Sequence, residues 1–118
     1  MSDVIIWHNP RCSKSRASLQ LLEEQGIEPK VINYLEDRPT KNEIIRLLIL
    51  LNMYSARELM RTKEAIYKEL NLKDENSEKR LIEAMVAYPK LIERPIVIKD
   101  NLAVIGRPIE KVIELIRG

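Results

Sequence analysis

The chain predicts an α/β fold, a mixed four-stranded sheet flanked by helices in the order βαβ, helical insert, ββα. Three observations carry that prediction. The apolar run Val4-Ile5-Ile6-Trp7, an amphipathic stretch closed by Gly26, and the segment Pro29 to Tyr34 read as strand, helix and strand. The middle, approximately residues 40–88, repeats helix-start signals and shows no strand pattern. The period then changes again, to two short β-rich runs around Asp100-Asn101 and a last amphipathic helix.

Each element follows from its residues. Val4 to Trp7 has the apolar continuity of a buried strand. His8 to Arg11 is a loop with Asn9-Pro10 as its turn signal. A helix runs from Ser13 to about Gln25, with Ala17, Leu21 and Leu22 near helical spacing and Leu19 beside them. Gly26 stands where a C-terminal cap belongs. Pro29 to Tyr34 is the second strand, and a βαβ crossover makes it parallel to the first. Thr40 with Glu43 is a capping box for a helix reaching about Leu51, and Ser55 with Glu58 repeats it for a short helix ending near Met60. Lys63 to Leu70 suits another short helix. Ser77 opens a longer one through Ala84, Met85 and Ala87, which ends before Pro89. Pro95 to Ile98 and Leu102 to Ile105 form an antiparallel hairpin. Pro108 sits in the first turn of a final helix to Ile116. The expectation is one domain, 1–118, with a helical insert at approximately 40–88.

Composition narrows the function classes. The 118 residues are 45% hydrophobic and 32% charged, with 20 basic and 18 acidic side chains and a net charge of +2. So small an excess argues against a dedicated nucleic-acid binder. The mixed charges of Glu36-Asp37-Arg38 and of Glu75 to Arg80 suit solvated faces. The longest apolar stretch, Leu47 to Leu51, is far too short to span a membrane. The start, Met1-Ser2-Asp3, carries no secretory signal, and the expected compartment is the cytoplasm. A single cysteine fits that compartment and allows no internal disulfide. One Cys and one His do not supply a tetrahedral zinc site, so no metal is expected.

That cysteine lies in His8-Asn9-Pro10-Arg11-Cys12-Ser13-Lys14-Ser15, beside the only histidine. A strand-to-helix loop places it at unpaired N–H groups and at the positive end of the helix dipole. Such a place favours thiolate over thiol, and the thiolate is the nucleophile. Arg11, Lys14, Arg16 and His8 are further groups available to lower the Cys12 pKa. Cys12 to Ser15 has C-x-x-C spacing with serine in the second place. Ser15 is able to donate a hydrogen bond to the Cys12 sulfur, but it cannot resolve a disulfide. An outside thiol must therefore restore an oxidised or substituted Cys12.

The same segment resembles the H-N-P-x-C-x-x-S motif of the glutaredoxin-coupled (ArsC-like) arsenate reductases. Tyr34-Leu35-Glu36, Glu58 to Arg61, Glu93 to Val97 and Ile105 to Pro108 resemble further landmarks of that family, in order along nearly the whole chain. The chain is especially similar to its short bacterial members. The resemblance implies a thioredoxin-like fold and a catalytic Cys12 that attacks arsenate. It implies glutathione as co-substrate, glutaredoxin as partner and no tightly bound cofactor. It assigns oxyanion binding to Arg61, Arg94 and Arg107, with Arg57 the rival for the first of these. It gives His8 a part in lowering the nucleophile's pKa and makes Pro95 a cis proline. Asn9, Arg11 and Ser15 are supporting residues, and a monomer is expected. Two other functions stay open here. One is a glutathione-linked thiol enzyme acting on another oxyanion or a mixed disulfide. The other is a binding protein like the Spx-type regulators, against which Ser15 counts because their switch needs a second cysteine.

Overall fold

Strand β1 (Val4–Trp7) has a neighbour on each side in the computed structural model, which describes residues 3–117. Met1, Ser2 and Gly118, the ends of the expected domain, lie outside the described residues. On one side β1 pairs in parallel with β2 (Lys30–Ile32), as the crossover required. On the other it pairs antiparallel with β3 (Ile96–Lys99), which forms a hairpin with β4 (Leu102–Ile105). The order β2-β1-β3-β4 makes the expected four-stranded mixed sheet. Asp100 turns the hairpin at φ 56°, a left-handed conformation that Asp tolerates better than most residues.

β2 is shorter than Pro29 to Tyr34. Pro29 has no N–H to give a ladder, and Asn33 begins a turn: its carbonyl accepts from the N–H groups of Glu36 and Asp37, and its side chain accepts from Leu35 N–H. Tyr34 leaves the strand and stacks on Trp7 with ring centroids 6.1 Å apart.

Helix α1 (Ser13–Glu24) ends where Gly26 takes φ 76°. Gly26 N–H donates to Glu23 O and Ile27 N–H to Leu22 O, a Schellman motif that also packs Ile27 beside Leu22. Helix α5 (Glu110–Arg117) starts later than Pro108, because Lys111 N–H donates to Pro108 O and Val112 N–H to Ile109 O in a tighter turn before the helix. Val4, Ile6 and Val97 on one face of the sheet, Leu22 of α1 and Val112 and Leu115 of α5 form one buried cluster. Burying each such side chain contributes about 1.5–3 kcal/mol before entropy is counted.

The described residues divide into two compact units. One joins the chain up to Asp37 with the chain from Arg94 onward; the other is Arg38–Glu93. The second holds α2 (Lys41–Leu50), α3 (Ala65–Glu69) and α4 (Glu78–Ala87), with short 3₁₀ turns at Ala56–Leu59, Leu72–Asp74 and Pro89–Leu91. The latter two turns are not legible as hydrophobic periodicity. Both capping boxes form: Thr40 Oγ1 accepts from Glu43 N–H while the Glu43 carboxylate accepts from Thr40 N–H, and Ser55 and Glu58 repeat the exchange. Among the described residues no helix is long and apolar enough to cross a membrane.

Candidate active site

The loop between β1 and α1 is tied by its own polar groups. Cys12 N–H donates to Asn9 O at 3.0 Å, and Arg11 N–H donates to Asn9 Oδ1 at 3.0 Å. Arg16 Nη1 donates to Pro10 O at 2.9 Å. These bonds leave Cys12 as the N-cap of α1, in extended conformation and only 8% exposed.

The Cys12 sulfur faces the backbone N–H groups of the first turn of α1. As a thiolate it is favoured. Burial pushes its pKa up, but the Ser15 backbone N–H, the Arg94 side chain and the Lys14 backbone N–H push it down further, and the balance lies below the ordinary thiol value. Arg107 Nη2 donates to Cys12 Sγ across 3.6 Å. Arg94 lowers the thiol's pKa both through a hydrogen bond and through its charge. The two arginines are linked, since Arg107 Nε donates to Arg94 O at 2.7 Å. The Arg94–Pro95 peptide is cis, and so is Arg107–Pro108, which sequence reasoning did not anticipate.

His8 and Ser15 sit differently from their expected places. The Ser15 hydroxyl lies 2.6 Å from His8 Nδ1 and accepts from Asn9 N–H at 3.0 Å. Ser15 serves the sulfur through its backbone N–H instead of its side chain. His8 is buried, and burial, with the Arg16 charge second, lowers its pKa below 6.5. The imidazole is therefore neutral at pH 7, and its connection to Cys12 runs through Ser15 and is not that of a neighbouring cation. Arg11, Lys14 and Arg16 have exposed side chains. The backbone donor of Lys14 had no signature in the sequence beyond its place in the first turn of a helix.

Arg57 and Arg61 belong to the second unit and differ there. Arg57 donates from Nη1 to Tyr67 OH and to Leu72 O at 2.9 Å, and from Nη2 to Glu75 O. Its guanidinium is committed to holding the chain after α3. Arg61 instead pairs with two carboxylates, Nε to Glu64 at 3.1 Å and Nη1 to Glu93 at 3.1 Å, both about one-quarter exposed. Such pairs are worth about 0–1 kcal/mol each.

Residues 7–115 match the ArsC family. The chain is 57% identical over 114 residues to the uncharacterized protein YfgD of Escherichia coli, covering 96% of both chains. It is 46% identical to an arsenate reductase of Haemophilus influenzae, covering 96% of this chain and 98% of that one. The solved structure of an arsenate reductase from Vibrio cholerae superposes with a TM-score of 0.93 at 53% identity, covering 96% and 97%. The mixed sheet is thus the thioredoxin-like sheet of those proteins.

Proposed function

The chain belongs to the ArsC family, and from that premise we propose that it reduces arsenate to arsenite with Cys12 as nucleophile and glutathione and glutaredoxin as external thiols. The observation that carries the proposal is a lone cysteine whose thiolate is stabilised by a helix N-terminus and by Arg94 and Arg107. A site that favours one anion through fixed N–H groups and guanidinium groups also suits the oxyanion the thiolate must meet.

In that reaction Cys12 Sγ attacks arsenic(V), and one arsenic-bound oxygen takes up protons and leaves as water. The sulfur of glutathione then displaces a second oxygen, also lost as water. A glutaredoxin thiolate attacks the glutathione sulfur. The arsenic–sulfur bond to glutathione breaks, its electron pair stays on arsenic, and a glutaredoxin–glutathione disulfide forms. Arsenic is reduced to the trivalent state, and water releases arsenite from Cys12. The arginines offset the charge that builds when two anions approach. Arg94 and Arg107 enter through their geometry at Cys12. Arg61 enters through the family motif, supported by the commitment of its rival Arg57 to backbone carbonyls. Pro95 keeps its structural role beside Arg94. The protein would work as a cytoplasmic monomer, where both thiol partners are available.

Direct measurement of arsenite tests the proposal. Parent protein with arsenate, glutathione, glutaredoxin and a regenerating system should form arsenite catalytically. Omission of glutaredoxin or glutathione, or Cys12→Ser, should abolish turnover. Catalysis that survives without glutaredoxin would instead point to another thiol donor.

A further inference from the structure

Gly106 immediately precedes Arg107, and its bare Cα faces a crowded place. A Cβ there would stand 2.6 Å from Ser18 Oγ, 2.9 Å from Pro95 Cγ and 3.2 Å from Val112 Cγ2. The first of these belongs to α1, two turns of chain after Cys12; the second follows Arg94; the third belongs to α5. Gly106 is also pinned by its own N–H, which donates to Pro95 O at 2.9 Å, while Arg107 N–H donates to Ile105 O at 2.8 Å. On the helix side, Ser18 is fully buried, and its hydroxyl has no hydrogen-bond partner among the described residues. An unpaired buried hydroxyl is a cost to the fold, so Ser18 is not there for a bond. It is small, and it faces the one residue type that has no side chain.

We propose that Gly106, closing directly on Ser18 and Pro95, is a positioning residue that sets the distance from the Arg94 and Arg107 guanidinium groups to Cys12. The close approach draws the β4–α5 turn onto α1, and Arg107 Nη2 reaches Sγ only across 3.6 Å, a contact with little slack. A methyl group at 106 would act as a wedge between the helix that carries Cys12 and the segments that carry both arginines. It would remove no charge and no donor. This deepens the proposed reductase reading, because the same distance would place the oxyanion ligands.

The test is titration of the Cys12 thiolate by ultraviolet absorbance or by alkylation rate, which needs no arsenate. Gly106→Ala should raise the apparent pKa by about one unit, the effect of weakening a nearby opposite charge. Ser18→Ala should shift it less. The double variant, in which the nearest atom met by the new methyl is gone, should recover part of the shift, a coupling expected of residues in contact. A folded Gly106→Ala protein with the parent's titration overturns the inference. If Gly106→Ala does not fold, the Ser18→Ala background decides: recovery of fold and of a lowered pKa supports the inference, and no recovery overturns it. Parent protein that makes no arsenite would remove the reductase reading and leave this titration result standing.

Discussion

Cys12 owes its lowered pKa, against the opposing effect of burial, to groups that belong to the fold itself: the Ser15 and Lys14 N–H groups and Arg94. Its lowered pKa means that the unfolded chain binds more protons between the folded value and 9.0. The stability it contributes is complete above 9.0 and is lost as pH falls through the folded value. Alkylation by iodoacetamide should accordingly stay fast at pH values where an ordinary thiol has slowed. Arg94→Ala should move the inflection upward by about one unit. His8 carries the same sign for a different reason. Its folded pKa lies below 6.5 because burial penalises the imidazolium. Its contribution is present above 6.5 and is lost as pH falls through the folded value. Denaturant unfolding at pH 7 and pH 5 should show a larger loss in the parent than in His8→Gln. Equal losses would show that His8 is not buried as a neutral group.

At the scale of elements, two arginines in neighbouring turns separate structure from candidate function. Arg57→Ala should destabilise the protein by about 2–3 kcal/mol, because it strips the carbonyls of Leu72 and Glu75 of a charged donor. Arg61→Ala should change stability by less than about 1 kcal/mol, since its ion pairs are partly exposed. Chemical denaturation of both variants checks the pair; similar losses would contradict this division. Gly26→Ala belongs to the same scale. Nothing crowds a methyl group there, yet φ is 76°, so the substitution should cost roughly 1 kcal/mol through the backbone alone. What the sequence made legible at this scale was local. The cap residues Thr40, Ser55, Ser77 and Gly26 mark their helix ends because each satisfies a specific backbone group within a few residues. The end of β2 was not legible, because Asn33 turns the chain and Tyr34 answers to Trp7, a residue distant in sequence.

For the molecule as a whole, the order of elements was enough to give sheet class and strand direction, since a crossover and a tight hairpin each allow one sense of pairing. The candidate nucleophile was also legible, as a lone cysteine at the start of a helix. Its surroundings were less so. Which group serves the sulfur depends on where hydrogen-bond donors point once the loop closes. The Ser15 hydroxyl turns to His8, and the Ser15 amide turns to Cys12. Arg94 and Arg107 come together from either side of the β3–β4 hairpin, and their link through the Arg94 carbonyl has no counterpart in spacing or periodicity.

The most direct single measurement is protection of Cys12 from alkylation by arsenate, in the parent and in Arg107→Ala. If a thiolate and its flanking guanidinium groups form the oxyanion site, arsenate slows alkylation in a saturable way in the parent, and the variant needs markedly more arsenate for the same protection. An alkylation rate that is indifferent to arsenate in the parent, with Cys12 still reactive, would contradict the assignment of this site to arsenate.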